Sequence, residues 1–255
     1  MEHDKIIKKL KKQILKVSFE TQVGHIPSAF SILEIIYCLY KNHLKKEEKF
    51  ILSKGHGCLA LYSVFLEMGI INEKEFFSFC SFDSILGGHP HRGKHKKIDA
   101  STGSLGHGLP MSVGIAIANK ISQNDNRVFC LLGDGECNEG TTWESAMVAE
   151  NLNLNNLICL IDENKSQSRS LPTNNIESKF KSFGWKVITV QNGHDLNQIN
   201  KAIKLARKEQ DQPVCIVCKT KKGNGIKDME ENMFSWHHGP PNKEQYEKFI
   251  EELDA

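Results

Sequence analysis

Val128-Phe129-Cys130-Leu131-Leu132-Gly133-Asp134-Gly135 is an apolar run cut short by a glycine turn, and Leu157-Ile158-Cys159-Leu160-Ile161-Asp162-Glu163-Asn164 is a second one ending in polar residues. Each run has the length and composition of a strand buried on both faces. Between them Glu139-Gly140-Thr141-Thr142 leads into Trp143, Ala146, Met147 and Glu150 at helical spacing. The unit is strand, turn, helix, strand. A right-handed crossover brings the carboxyl ends of such strands together, so Asp134 and Asn164 meet although they lie thirty residues apart. One carboxylate, one amide oxygen, a backbone carbonyl and a diphosphate would suit Mg²⁺ or Ca²⁺. Glycines let the backbone approach the phosphates, and a helix starting near Glu139 offers free N–H groups. GDG alone is more often an ordinary tight turn; the crossover helix and the strand-terminal Asn make the combination more specific.

The 255 residues suffice for a sizeable core in one large domain over 1–255, and two domains would be a tight fit. With 33 basic and 31 acidic residues the formal charge is +2, which gives no global pull toward nucleic acid. Of eight cysteines only Cys215 and Cys218 fall close together, inside the apolar run 213–218. Redox and zinc pairs normally sit on turns, so buried strand thiols are expected, and with them a cytoplasmic setting. Lysines interrupt Ile6, Ile7, Leu10, Ile14, Leu15 and Val17. That pattern makes an amphipathic helix with a solvated face and no export signal. No stretch reaches the ~18 apolar residues of a membrane span, so no membrane partner is expected.

Apolar strands alternate with helical patterns along the chain. Strands are predicted over 50–52, 185–190 and 214–218, and helices over 32–40, 59–68, 111–121, 176–183, 196–208 and 242–253. The fold class is therefore α/β, a mostly parallel central sheet with helices on both faces. Ser28 is the expected N-cap of the helix over 32–40. His25 sits on the turn before it, and His56 lies between Gly55 and Gly57. The loop 87–95 carries His89, His91 and His95 among basic residues; no ordered Cys or carboxylate spacing supports zinc, and a solvated loop is the ordinary reading. Gly103, Gly106 and Gly108 form a GxxGxG pattern that fits a nucleotide loop or a ligand-free helix start, and the pattern does not choose. Lys219, Lys221 and Lys222 suit a phosphate patch and a solvated turn equally well, and His194 reads as a turn residue.

GDGECNEG (133–140) followed by DENKSQ (162–167) resembles the thiamine-diphosphate fingerprint as transketolases carry it. FILSKGHG (50–57), STGSLGHG (101–108), FGWKV with GHD (183–187, 193–195), KTKKGNG (219–225) and WHHGPP (236–241) resemble further transketolase segments in family order. The resemblance implies a diphosphate-binding (PP-type) domain holding thiamine diphosphate and Mg²⁺ or Ca²⁺. Carried over residue by residue, it implies His25, His56, His89 and His238 as catalytic. It places His56, Gly103, Leu105, Gly106, Gly133, Asp134, Gly135, Glu139, Asn164 and His238 at the cofactor. It gives the metal to Asp134, Asn164 and the backbone carbonyl of Ser166. Glu139 matches an interface glutamate in the family, while a plain helix-start carboxylate explains it as well. Two departures stand out. His107 replaces the usual glutamine, and Ser166-Gln167-Ser168-Arg169 replaces LQIDG. Anchoring on His-Gly selects His238, and anchoring on Trp-His selects His237; the former is preferred.

In full-length transketolases this portion is followed by a pyrimidine-binding domain, which carries the glutamate that activates the cofactor, and by a third domain. Neither has room here. The resemblance therefore implies the amino-terminal subunit of a split transketolase, completed by a C-terminal subunit in a heterotetramer of two copies each. Such an enzyme moves a two-carbon ketol unit from a ketose to an aldehyde, with small phosphorylated or modified sugars as substrates. A scaffold subunit without turnover, the α subunit of a 2-oxoacid dehydrogenase and a deoxyxylulose-phosphate synthase are the other readings. His25, SKGH and STGSLGHG count against the dehydrogenase, and the length counts against the synthase.

Overall fold

A computed structural model describes residues 2–254. Helices α1 (Glu2–Thr21), α2 (Ile26–Phe30) and α3 (Leu33–Asn42) precede strand β1 (Lys49–Leu52). After it come α4 (Cys58–Glu67), α5 (Glu73–Phe77), a long loop, α6 (Gly108–Ile121), β2 (Val128–Gly133), α7 (Gly140–Asn151) and β3 (Leu157–Glu163). The chain ends with α8 (Ile176–Ser182), β4 (Lys186–Val190), α9 (Leu196–Ala206), β5 (Val214–Lys219), α10 (Lys227–Glu231) and α11 (Lys243–Asp254).

The sheet order is β1-β2-β3-β5-β4, and every pairing is parallel. Strand residues alternate between two cores, as the pleat requires. Phe129, Leu131, Ile158, Leu160, Val214, Ile216 and Cys218 pack with α1, α3, α4 and α9. Val128, Cys130, Leu132, Leu157, Cys159, Ile161, Cys215 and Val217 pack with α6, α7 and α8. Apolar residues at consecutive positions are thus explained by helices on both faces. Cys215 and Cys218 belong to opposite faces, so they cannot pair, and all eight cysteines are free. The crossovers advance across the sheet to β4 and step back to β5. Loops at the carboxyl ends of β2, β3 and β5 therefore border the crevice where such sheets bind ligands.

Two local expectations are corrected. Ser28 is no N-cap; it lies inside α2, and α3 starts after Ile32 with no side-chain cap. The helix expected near Glu139 does begin there, at Gly140, preceded by a separate tight helical turn, Gly135–Asn138. Lys11 is not on a solvated face. It is 5% exposed and donates to the Asn224 carbonyl at 2.9 Å, with the Glu34 carboxylate at 3.2 Å. Among the described residues no helix is long and apolar enough to cross a membrane.

Candidate active site

Four strand ends build the site. Beyond β1, Ser53 and Lys54 donate backbone N–H groups to Leu131 O, and the turn Gly55–Gly57 holds His56. Beyond β2, Asp134 accepts from Gly135 N at 2.7 Å on Oδ1 and from Lys165 N at 2.5 Å on Oδ2. Beyond β3, Asn164 Oδ1 accepts from Ser166 N at 3.0 Å. Beyond β5 comes Lys222, 3% exposed. These loops enclose a cavity of about 250 Å³. Of the residues singled out in the sequence, His25, His56, Gly103, Leu105, Gly133, Asp134, Gly135, Asn164 and Ser166 line it.

The cavity departs from that reading in several places. His237, not His238, lines it, and Lys222 Nζ lies 3.2 Å from His237 Nδ1. His238 instead sets its ring centroid 4.5 Å from that of His25. The extra imidazole in WHHGPP is accommodated because both rings cluster on His25, whose centroid lies 6.2 Å from that of His237 and 5.4 Å from that of His56. His89 does not line the cavity; a side chain at Gly103, where φ is +148°, would meet its ring at 3.0 Å. Gly106 stands outside the lining, and Glu139 is exposed at the start of α7 without capping it.

Glu136 and Asp162 are site residues that sequence reasoning missed, although both stand inside the quoted motifs. The Glu136 carboxylate is 2% exposed. It accepts from the Ser53 hydroxyl, from Gly106 N at 2.7 Å and from Gly133 N at 3.2 Å, tying together the loops after β1, before α6 and after β2. Burial raises its pKa against the pull of these donors. Asp162 accepts from the Lys54 ammonium and the Thr220 hydroxyl, and from Ser31 Oγ at 2.7 Å. Lys54, 2% exposed, is thereby a buried cation with its partner beside it. His194 proves structural: its Nε2 accepts from Lys221 N at 2.9 Å, which leaves Nδ1 to donate to Glu34 at 3.1 Å.

Electrostatics follow from this crowding. Burial, then the neighbouring His238, His237, His89 and Lys222, pushes His25 down to about 4. Burial and Lys54 push His56 down to about 2. Both imidazoles are therefore neutral near pH 7, each with one donor and one acceptor nitrogen. Burial and Lys54 lower Lys222 to about 8. Burial and Asp162 raise Asp134.

The residues present fit a diphosphate with a divalent cation. Gly103, Gly133 and Gly135 expose backbone in the wall, Lys54 and Lys222 supply buried positive charge, and Asp134, Asn164 and Ser166 offer the hard oxygens such cations take. Among the described residues no group of three His, Cys, Asp or Glu side chains could hold a metal by itself. A larger depression of about 650 Å³ lies at the amino ends of the strands. Its arginines are engaged: Arg127 donates to the carbonyls of Asn155 and Arg207, and Arg207 donates to Glu48.

A wholly parallel sheet with a glycine-lined, cation-rich crevice at its carboxyl ends defines a diphosphate-binding α/β domain. The family described as transketolase, thiamine diphosphate-binding domain, matches residues 3–251. The chain is 32% identical to one of the subunits of the apulose-4-phosphate transketolase of Phocaeicola vulgatus, covering 96% of this chain and 91% of that protein. It is 33% identical to the correspondingly named protein from Actinobacillus succinogenes, covering 99% and 96%. The solved transketolase from Leishmania mexicana superposes with a TM-score of 0.89 at 25% identity, over 98% of this chain but only 41% of that one. The chain belongs to the transketolase family, as its thiamine diphosphate-binding domain. The cofactor of that family domain is thiamine diphosphate.

Proposed function

We propose that this chain is the amino-terminal subunit of a split transketolase, completed by a separate subunit carrying the pyrimidine-binding domain, with two copies of each. The observation that carries this is a half-site. The cavity is lined by groups that suit a diphosphate and a cation, yet at about 250 Å³ it is smaller than the ~300–1,000 Å³ of a complete small-molecule site. Coverage agrees: 91% and 96% of the two apulose-4-phosphate transketolase relatives, against 41% of the solved transketolase.

When bound, the cofactor supplies the electron sink for breaking and forming a bond beside a carbonyl. The chain's own residues do the rest of the work on this side. Asp134, the Asn164 amide oxygen and the Ser166 carbonyl hold the cation, for which Mg²⁺ is the proposed species; Lys54 and Lys222 balance the diphosphate charge. Neutral His25 meets the hydroxyls of the donor sugar, accepting a proton at one nitrogen and donating at the other, and neutral His56 stands closer to the diphosphate. His89 and the pair His237 and His238 complete the imidazole rim, with His237 the one facing the cavity. The transferred group is a two-carbon ketol unit, and the substrates are phosphorylated or modified sugars of the kind the apulose-4-phosphate relatives are named for.

Two-carbon transfer is measured with thiamine diphosphate and Mg²⁺ for this chain alone and mixed with the pyrimidine-domain protein. Turnover only in the mixture is expected; turnover by the isolated chain would sink the proposal. His25→Ala and His89→Ala in the mixture separate an enzyme from a scaffold, since a scaffold would be indifferent to both.

A further inference from the structure

Asp162 closes β3 with a carboxylate that has no exposed surface. Its Oδ2 accepts from the Lys54 ammonium, from Ser31 Oγ at 2.7 Å and from Asn164 Nδ2 at 2.8 Å, and its Oδ1 accepts from the Thr220 hydroxyl. Its backbone carbonyl accepts from Asp134 N at 3.0 Å. One residue behind the cavity wall thus contacts three residues that the wall presents: Lys54, Asp134 and Asn164.

The consequence falls on Asn164. An amide has two chemically unlike ends, and here their neighbours differ in kind. Nδ2 faces the Asp162 carboxylate and lies 3.3 Å from Ser31 Oγ, whereas Oδ1 receives the Ser166 N–H at 3.0 Å. Turning the amide over would set its oxygen against a carboxylate and its NH₂ against an N–H, leaving two buried mismatches. Asp162 therefore dictates which end of Asn164 is the oxygen end. That oxygen keeps a second lone pair beyond the Ser166 contact, and it is the atom a hard cation needs. Lys54 is restrained from the same carboxylate, which fixes an ammonium on the wall as well as the amide.

We infer that Asp162 is a positioning residue that orients the Asn164 amide for cation holding and anchors Lys54, without itself touching cation or cofactor. This rests on the proposed use of the cavity for thiamine diphosphate and a divalent cation.

The test is the Mg²⁺ dependence of thiamine diphosphate binding, read by titration calorimetry on the protein assembled with its partner. Asp162→Asn is expected to raise the half-saturating Mg²⁺ concentration roughly tenfold to a hundredfold, the usual cost of losing a residue that holds a metal ligand. In an Asn164→Ala background the same change should add clearly less, because the amide it orients is gone and only the anchoring of Lys54 is left to lose. Unchanged Mg²⁺ dependence in folded Asp162→Asn, or an equal rise in both backgrounds, overturns the inference. Should Asp162→Asn fail to fold, Ser31→Ala removes the hydroxyl that both side chains share. It should raise the Mg²⁺ requirement severalfold, roughly as the loss of one hydrogen bond would. No rise there overturns the inference too. Failure of the unaltered protein to bind thiamine diphosphate in a Mg²⁺-dependent way would instead strike the reading of the cavity.

Discussion

His25 and His56 carry the clearest residue-level consequence of burial. Each is held neutral, at about 4 and about 2 against an ordinary 6.5, with burial the largest cause. The unfolded chain takes up protons on both imidazoles as pH falls through 6.5, and the folded chain does not. Stability is therefore lost progressively between about pH 6.5 and 4, and further below. Thermal melts across that range should show it, and His25→Gln should flatten the slope. Lys222 behaves in the opposite sense on ligand binding. At about 8 it is partly uncharged in mildly alkaline buffer, and a diphosphate beside it favours the charged form. Cofactor binding near pH 8 should take up a proton, measurable by calorimetry in buffers of different ionisation enthalpy. Lys222→Met should abolish that uptake. Asp134→Ala should remove Mg²⁺-dependent cofactor binding outright, since no other carboxylate lines the cavity beside it except Glu136, whose oxygens are spent on Ser53, Gly106 and Gly133.

At the scale of elements, the sheet positions the chemistry and tolerates little slack. Leu160 is fully buried in β3 on the face covered by α1 and α4. Leu160→Ala should cost about 2–5 kcal/mol in denaturant unfolding, the usual range for a core truncation. Gly108 opens α6 against the end of β1. A side-chain carbon there would meet Ser53 Oγ at 2.2 Å, its Cβ at 2.3 Å and its Cα at 2.7 Å, and the backbone atom cannot swing aside. Gly108→Ala should push α6 off Ser53, lower the melting temperature and weaken cofactor binding, because Ser53 also donates to Glu136. Gly135→Ala is the useful contrast. The nearest atoms its new carbon meets belong to the flexible Gln167 side chain, at 2.4 Å from Cγ, so the fold should survive with a smaller loss.

At the scale of the whole molecule, the proposed half-site predicts obligate partnership. Light scattering of the mixture should give a mass for two copies of each subunit, and turnover should track that species; a one-to-one complex with full activity would contradict the proposed stoichiometry. Partner binding should also strengthen thiamine diphosphate binding, because a ligand held from two chains binds weakly to either alone. A cofactor affinity for the isolated chain equal to that of the assembly would argue against a shared site.

The parallel α/β fold was legible in the alternation of apolar runs with helical patterns, since a strand covered on both faces leaves an uninterrupted apolar signature. The meeting of Asp134 and Asn164 at one cavity was legible for a related reason: strand-terminal residues thirty positions apart are brought together by one crossover. Which of His237 and His238 faces the cavity was not, because adjacent residues on an irregular turn carry no periodicity to separate them. Nor were the roles of Glu136 and Asp162. A carboxylate in a polar motif looks the same whether it faces water or anchors buried donors, and those donors, Ser53 and Gly106 for one and Ser31, Lys54 and Thr220 for the other, come from distant segments. Lys11 and Lys222 were hidden likewise, since a lysine's burial depends on partners such as Glu34 that only tertiary packing brings within reach. Local pattern by itself determined the elements and which strand-end residues meet. Only the tertiary structure decided which charges are buried and which imidazoles converge, because both depend on contacts between segments remote in the chain.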